Sequence, residues 1–160
     1  MSKTTQSSGS QVASLLRPEA INLNIQSAEK PAALREVAEL LRPTNCITDF
    51  DAFFREILER ERVSNTALGH DVAIPHARTE QCKEILIAIG RSSNGINFES
   101  KDSQPVRLVF LIGTPKSMVT DYLRVVGNLA RILRHDQVRA DLMNAPDAAS
   151  FINIIAAAES

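Results

Sequence analysis

The sequence predicts a three-layer α/β domain, a mixed β-sheet with helices on both faces. The runs Glu84 to Arg91 and Val106 to Ile112 are almost continuously apolar, as strands buried on both faces are. Apolar residues at helical spacing lie before, between and after the candidate strands, so helices flank the sheet.

Composition bounds the rest. A chain of 160 residues, 44% hydrophobic and 23% charged, fits one globular domain with a substantial core. A formal net charge of −1 gives no basic excess for nucleic acid. Aromatics at 4% with no Trp leave no stacking surface for bases. No apolar run approaches the ~20 residues of a membrane span, so no membrane insertion is expected. Met1 to Gln11 is rich in Ser, Thr and Gln and lacks the apolar centre of a signal peptide. We expect a disordered tail over 1–16, a domain over 17–160 and a cytoplasmic location. Cys46 and Cys82 lack metal-like spacing and read as free thiols.

In order, Arg17-Pro18-Glu19 is a turn, and Ile21, Leu23 and Ile25 alternate with polar residues as a short strand. Lys30-Pro31 opens a helix with apolar Leu34, Val37, Leu40 and Leu41, which Pro43 ends. Asp49 or Thr48 caps a second helix to about Arg62. Its apolar face is Phe50, Phe53, Phe54, Ile57 and Leu58. Its polar face carries Glu56, Glu59, Arg60, Glu61 and Arg62, read mostly as solvated charges with pairs such as Glu56–Arg60. Ser92 to Asn97, with Asn94-Gly95, is a turn, and Gly113-Thr114-Pro115 stops the second buried strand. Val119 to about Arg134, Asp136 to Met143 and Ala148 to Ala158 are helices. His135 is expected at the end of the first of these, where a cation suits the helix dipole.

The stretch Asn65 to Arg78 organises the candidate chemistry. Pro75 fixes its own φ and biases Ile74 toward extended backbone, so His76 is presented stiffly. A stiff imidazole suits a phosphoryl or proton carrier, and equally a surface histidine ending a strand. His70 and His76 share this stretch without a further ligand at metal spacing, so no metal is expected. No glycine-rich nucleotide loop and no nucleophile elbow is present. Cys82, six residues after His76, leaves a Cys–His pair open beside its reading as a small core residue.

Taken together, Arg60-Glu61, Asn65-Thr66-Ala67-Leu68-Gly69 and Ala73-Ile74-Pro75-His76, in that order, resemble the signature of the enzyme IIA domains of the fructose–mannitol class. These belong to the bacterial sugar phosphotransferase system. The flanks, from Asn22-Leu23-Asn24-Ile25 to Leu129-Ala130-Arg131-Ile132-Leu133, agree, and the resemblance covers roughly Arg17 to Ala157. It implies a phosphocarrier without a cofactor. The donor would be phospho-HPr or a similar protein, and the acceptor an enzyme IIB cysteine. In the nitrogen-related branch the phosphoryl group is instead a regulatory signal to a transporter or kinase. The resemblance makes His76 the nucleophile and Arg60 the charge stabiliser. Beside it, Thr66 and the loop amides could add donors to the phosphoryl group, and Arg78, two residues from His76 on an extended chain, points the same way and could also contact phosphate. The alternative is a non-catalytic module that binds its target through the His76 face. Three departures stand out. Asp121-Tyr122-Leu123-Arg124 holds no counterpart of the family's second histidine. His70-Asp71 stands where Asn-Gly is common, and Ala77 where Gly follows the active histidine. An Asp71 facing the site would repel a phosphohistidine.

Overall fold

The computed structural model describes residues 12–160, and the part of the expected tail over 1–11 lies outside them. Among the described residues six strands form one sheet: β1 (Ile21–Asn22), β2 (Ala67–Gly69), β3 (Val72–Ala73), β4 (His76–Thr79), β5 (Leu86–Ile96) and β6 (Val106–Pro115). Their order is β1-β5-β6-β3-β2, with β4 following β3 along the same edge of β6. The sheet is mixed. β5 and β6 pair antiparallel, whereas β3 and β4 run parallel to β6 and β1 runs parallel to β5.

Side chains alternate across β6 as a pleated strand requires. Val109 and Leu111 pack with Leu34 and Val37 of α1 (Lys30–Ala38) and with Phe53 and Ile57 of α2 (Phe50–Val63). Leu108, Phe110 and Ile112 pack on the other face with Val125 and Leu129 of α3 (Val119–Ile132), Leu142 of α4 (Asp136–Asn144) and Phe151 of α5 (Ala148–Glu159). Helices therefore cover both faces, and the expected three-layer class holds. No helix among the described residues is long and apolar enough to cross a membrane.

Asp49 caps α2 by accepting from the Ala52 amide at 3.1 Å, and Asp147 caps α5 by accepting from Ser150 at 2.8 Å. Pro43 does not stop the first helix outright. The chain tightens into a 3-10 segment over Glu39–Thr44 that contains Pro43 and closes at Asn45 with φ 58°. His135 is not at the end of α3. It precedes Asp136 at the start of α4, the positive end of a helix dipole.

Three expectations change because distant partners outweigh local signals. Val12–Leu16 is not a tail: Val12 and Leu16 are buried, and the Val12 and Ala13 amides donate to the Glu159 carboxylate at 2.5 and 2.9 Å. Ser92 to Ile96 does not turn back but continues β5 through an irregular stretch. There Gly95 takes φ +90° and its amide donates to the Ser92 hydroxyl at 3.0 Å. Gly113-Thr114-Pro115 does not end β6 but pairs with Ala77–Thr79 of β4. Gly113 is required there for space: a Cβ would lie 2.7 Å from both Cys82 Sγ and Phe53 Cε1.

Candidate functional site

β3 and β4 are one strand broken at Ile74-Pro75. Proline is tolerated at such a break because no ladder donor is lost. The Pro75 carbonyl accepts from Ile112 at 2.9 Å, and the Ile74 amide donates to the Thr66 carbonyl at 3.2 Å. The Ile74 side chain is buried in the α3–α5 core. His76 is thus held from both sides, as its sequence neighbours suggest. Alternation then sorts β4. Ala77 and Thr79 face α2, with the Thr79 hydroxyl on Glu56 at 2.6 Å, while His76 and Arg78 turn toward Tyr122 of α3.

At this sheet edge an open depression of about 630 Å³ is lined by His76, Arg60, Arg78, Tyr122, Lys116, Glu56 and Glu59. His76 is half-buried there. Its Nδ1 lies 2.7 Å from the Ile74 carbonyl oxygen. A carbonyl only accepts, so Nδ1 carries the proton and Nε2 keeps its lone pair. Burial lowers the His76 pKa from its ordinary value; the Ile74 carbonyl opposes this, the Arg60 charge adds to it and the Glu61 charge opposes it. The ring is therefore neutral at pH 7.

Of the other expected contacts, Arg60 and Arg78 reach the depression. Arg60 does not pair with Glu56 but donates Nη1 to the Ser64 carbonyl at 2.9 Å. The Arg78 guanidinium lies 5.9 Å from the Tyr122 ring centroid, and the His76 and Tyr122 rings are 5.5 Å apart, tilted by 54°. Tyr122 therefore sits beside His76. Lys116 was not legible in the sequence. The pairing Thr79↔Pro115 brings it alongside β4, and that pairing was hidden by reading Gly113-Thr114-Pro115 as a stop.

Thr66 is placed differently from the expectation. It is buried and does not line the depression, and its hydroxyl and amide both donate to the Glu61 carboxylate, the amide at 3.3 Å. Glu61 is not a solvated charge either. Its side chain is 3% exposed and pairs with Lys30 Nζ at 2.9 Å. Glu59, paired with Arg62 at 2.7 Å, does fit the solvated reading.

The departures also resolve. His70 and Asp71, with φ 56° and 70°, form the two-residue tip joining β2 to β3, a turn whose two positive φ values favour Asn-Gly. The Asp71 carboxylate meets Arg107 at 3.1 Å. Val72 pairs with Leu108 and His76 with Ile112, so the turn lies roughly 13 Å along the sheet from the imidazole. Cys82 is buried on the α1–α2 side, opposite the face His76 takes, and burial with the Glu56 and Cys46 charges pushes its thiol up to about 12. No Cys–His nucleophile pair forms.

Known proteins share this fold. The chain is 35% identical over 144 residues to the fructose-specific EIIABC component of the phosphotransferase system of Bacillus subtilis strain 168, covering 90% of this chain and 23% of that relative. It is 33% identical over 145 residues to a nitrogen regulatory protein of Bradyrhizobium diazoefficiens, covering 91% and 94%. The crystal structure of the nitrogen regulatory protein IIA-Ntr from Neisseria meningitidis superposes with a TM-score of 0.84 at 26% identity, over 90% of this chain and 98% of that one. Residues 14–158 match the family described as phosphoenolpyruvate-dependent sugar phosphotransferase system, EIIA 2. With that match spanning nearly the whole chain, the chain belongs to the EIIA 2 family.

Proposed function

We propose that this chain is a phosphocarrier that takes a phosphoryl group on His76 Nε2 from a phospho-HPr-like donor. It passes the group to an enzyme IIB cysteine or holds it as a regulatory signal. The observation that carries this reading is the His76 ring itself: neutral, with Nδ1–H on Ile74 so that Nε2 keeps its lone pair, and lining a depression where Arg60, Arg78 and Lys116 outnumber the carboxylates Glu56 and Glu59.

In the accepting step the Nε2 lone pair forms a bond to phosphorus. The donor's bond to phosphorus breaks, and its electron pair stays with the donor. Nδ1 keeps its proton, so the phosphorylated ring carries positive charge against the Ile74 carbonyl. In the passing step a cysteine thiolate attacks phosphorus, and the N–P electrons return to Nε2. The ring leaves as the neutral tautomer it was. Such transfers depend on positioning and on charge placed around the phosphoryl oxygens. Arg60 supplies a planar fork for two of those oxygens, and Arg78 and Lys116 supply further positive charge.

The similarity to nitrogen regulatory proteins supports a second reading, a module that binds a transporter or kinase through the His76 face without transferring phosphate. One experiment separates the two. The protein is mixed with labelled phosphoenolpyruvate, enzyme I and HPr. Acid-labile label on His76, absent from a folded His76→Ala variant, supports the carrier. No label, with HPr active on a control acceptor, leaves the binding module.

A further inference from the structure

Glu61 is a charged group buried outside the depression, one residue from Arg60, and the transfer chemistry does not use it. Burying a carboxylate is costly unless it is paired and hydrogen-bonded, and here it is both. One oxygen meets Lys30 Nζ at 2.9 Å and the Thr66 amide at 3.3 Å, and the other accepts from the Thr66 hydroxyl. Lys30 also lies 4.6 Å from the Phe98 ring centroid. From Thr66 the connection continues through the backbone. The Thr66 carbonyl accepts from the Ile74 amide at 3.2 Å, and the Ile74 carbonyl accepts from His76 Nδ1 at 2.7 Å. Every link between the Glu61 carboxylate and the imidazole is a hydrogen bond or a single residue.

We infer that Glu61 is a positioning residue for His76: anchored by Lys30, it clamps Thr66, which fixes the Ile74 peptide whose carbonyl selects the Nδ1–H tautomer. The inference rests on the reading of His76 as the reacting group. The geometry gives its reason. Ile74 precedes a proline that has no amide to donate, so on the side of the break before Pro75 the backbone hydrogen bond that holds Ile74 is the one from its amide to Thr66. Thr66 lies in an irregular stretch before β2, outside the ladder. Two hydrogen bonds to one carboxylate make it rigid. Polar groups arranged in such a chain strengthen one another in a low-dielectric interior. The Glu61 charge also acts on the imidazole in the direction that stabilises positive charge on the ring. That is the charge the phosphorylated ring carries.

The test uses three variants and avoids Glu61→Gln, which leaves Lys30 buried without its counter-charge and is exposed to misfolding. Removing both charges together, as Lys30→Met/Glu61→Leu, deletes the anchor without leaving a lone buried ion. Thr66→Val deletes only the hydroxyl link. The first readout is the His76 tautomer from ring 15N chemical shifts near pH 8. The second is the initial rate of label uptake from phospho-HPr. We expect a single Nδ1–H form in the unaltered protein. The double variant should give a mixed tautomer population and a label uptake roughly tenfold slower, the scale found when groups that orient a reacting or ligating side chain are removed. Thr66→Val should move both readouts the same way, and Thr66→Ser should restore them. A folded double variant with the unaltered tautomer signal and rate overturns the inference. If the unaltered protein takes no label while the tautomer still responds to the variants, the proposed function fails and the positioning role of Glu61 stands.

Discussion

The His76 Nδ1 donates to the carbonyl of Ile74, two residues earlier in its own chain, across 2.7 Å. A bond this local leaves little freedom in χ, and it is made by the backbone rather than by a side chain that can be lost. It leaves Nε2 as the ring nitrogen with a free lone pair. The intervening Pro75 is what makes the geometry possible, since its ring holds the chain extended between acceptor and donor.

The pH behaviour of His76 follows from its surroundings. Its pKa is lowered, first by burial, so the unfolded chain binds a proton more readily than the folded one. Stability therefore falls as pH drops below the ordinary imidazole value of about 6.5 and continues to fall until the depressed folded value is passed. Chemical denaturation between pH 8 and 5 should show this slope, and His76→Gln should reduce it. An NMR titration should place the His76 midpoint below that of a free histidine.

Arg60 should tolerate no substitute with the same charge. Arg60→Lys keeps a cation but loses the fork, and label uptake should fall roughly 10- to 100-fold with little change in stability. A rate within a factor of two of the unaltered protein would remove Arg60 from the transfer step.

Tyr122 contributes its ring rather than its hydroxyl. Its contacts with His76 and Arg78 are both face or edge contacts of the ring. Tyr122→Phe should leave label uptake nearly unchanged, and Tyr122→Ala should slow it several-fold as both neighbours gain freedom. Equal loss in both variants would assign the role to the hydroxyl.

Gly113 tests the close packing beneath β4. Gly113→Ala forces a Cβ against Cys82 and Phe53 and should cost about 1–3 kcal/mol by denaturant unfolding. The pairing Ala77↔Gly113 carries that displacement to the residue after His76, so label uptake should drop as well.

The β2–β3 turn offers the opposite case. His70→Asn with Asp71→Gly supplies residues suited to two positive φ values and gives up one exposed ion pair with Arg107, worth about 0–1 kcal/mol. Label uptake should be unaltered, because Asp71 is held at Arg107 and away from the imidazole. A large rate change would contradict that separation.

The sequence by itself determined the three layers, the two long strands and the stiff presentation of His76. Each is written in local periodicity or in one proline. It also placed Arg60 and Tyr122 in the neighbourhood of the site through the order of the family's motifs, and Arg78 through its two-residue spacing from His76. What only the tertiary structure decided depends on residues far apart in the chain. The charges on the polar face of α2 look alike in sequence, yet Lys30 from another helix makes Glu61 a buried anchor while Glu59 stays in solvent. Thr66 reads as a loop donor until Glu61 takes both of its donors. Glu159, 147 residues away, turns Val12 from tail into core. Pairing with β4 extends β6 past a Gly-Thr-Pro stop and brings Lys116 to the site. A local pattern fixes where a backbone can go. The partner of each buried polar group is set by the assembled sheet and helices, since only there does leaving the group unpaired become costly.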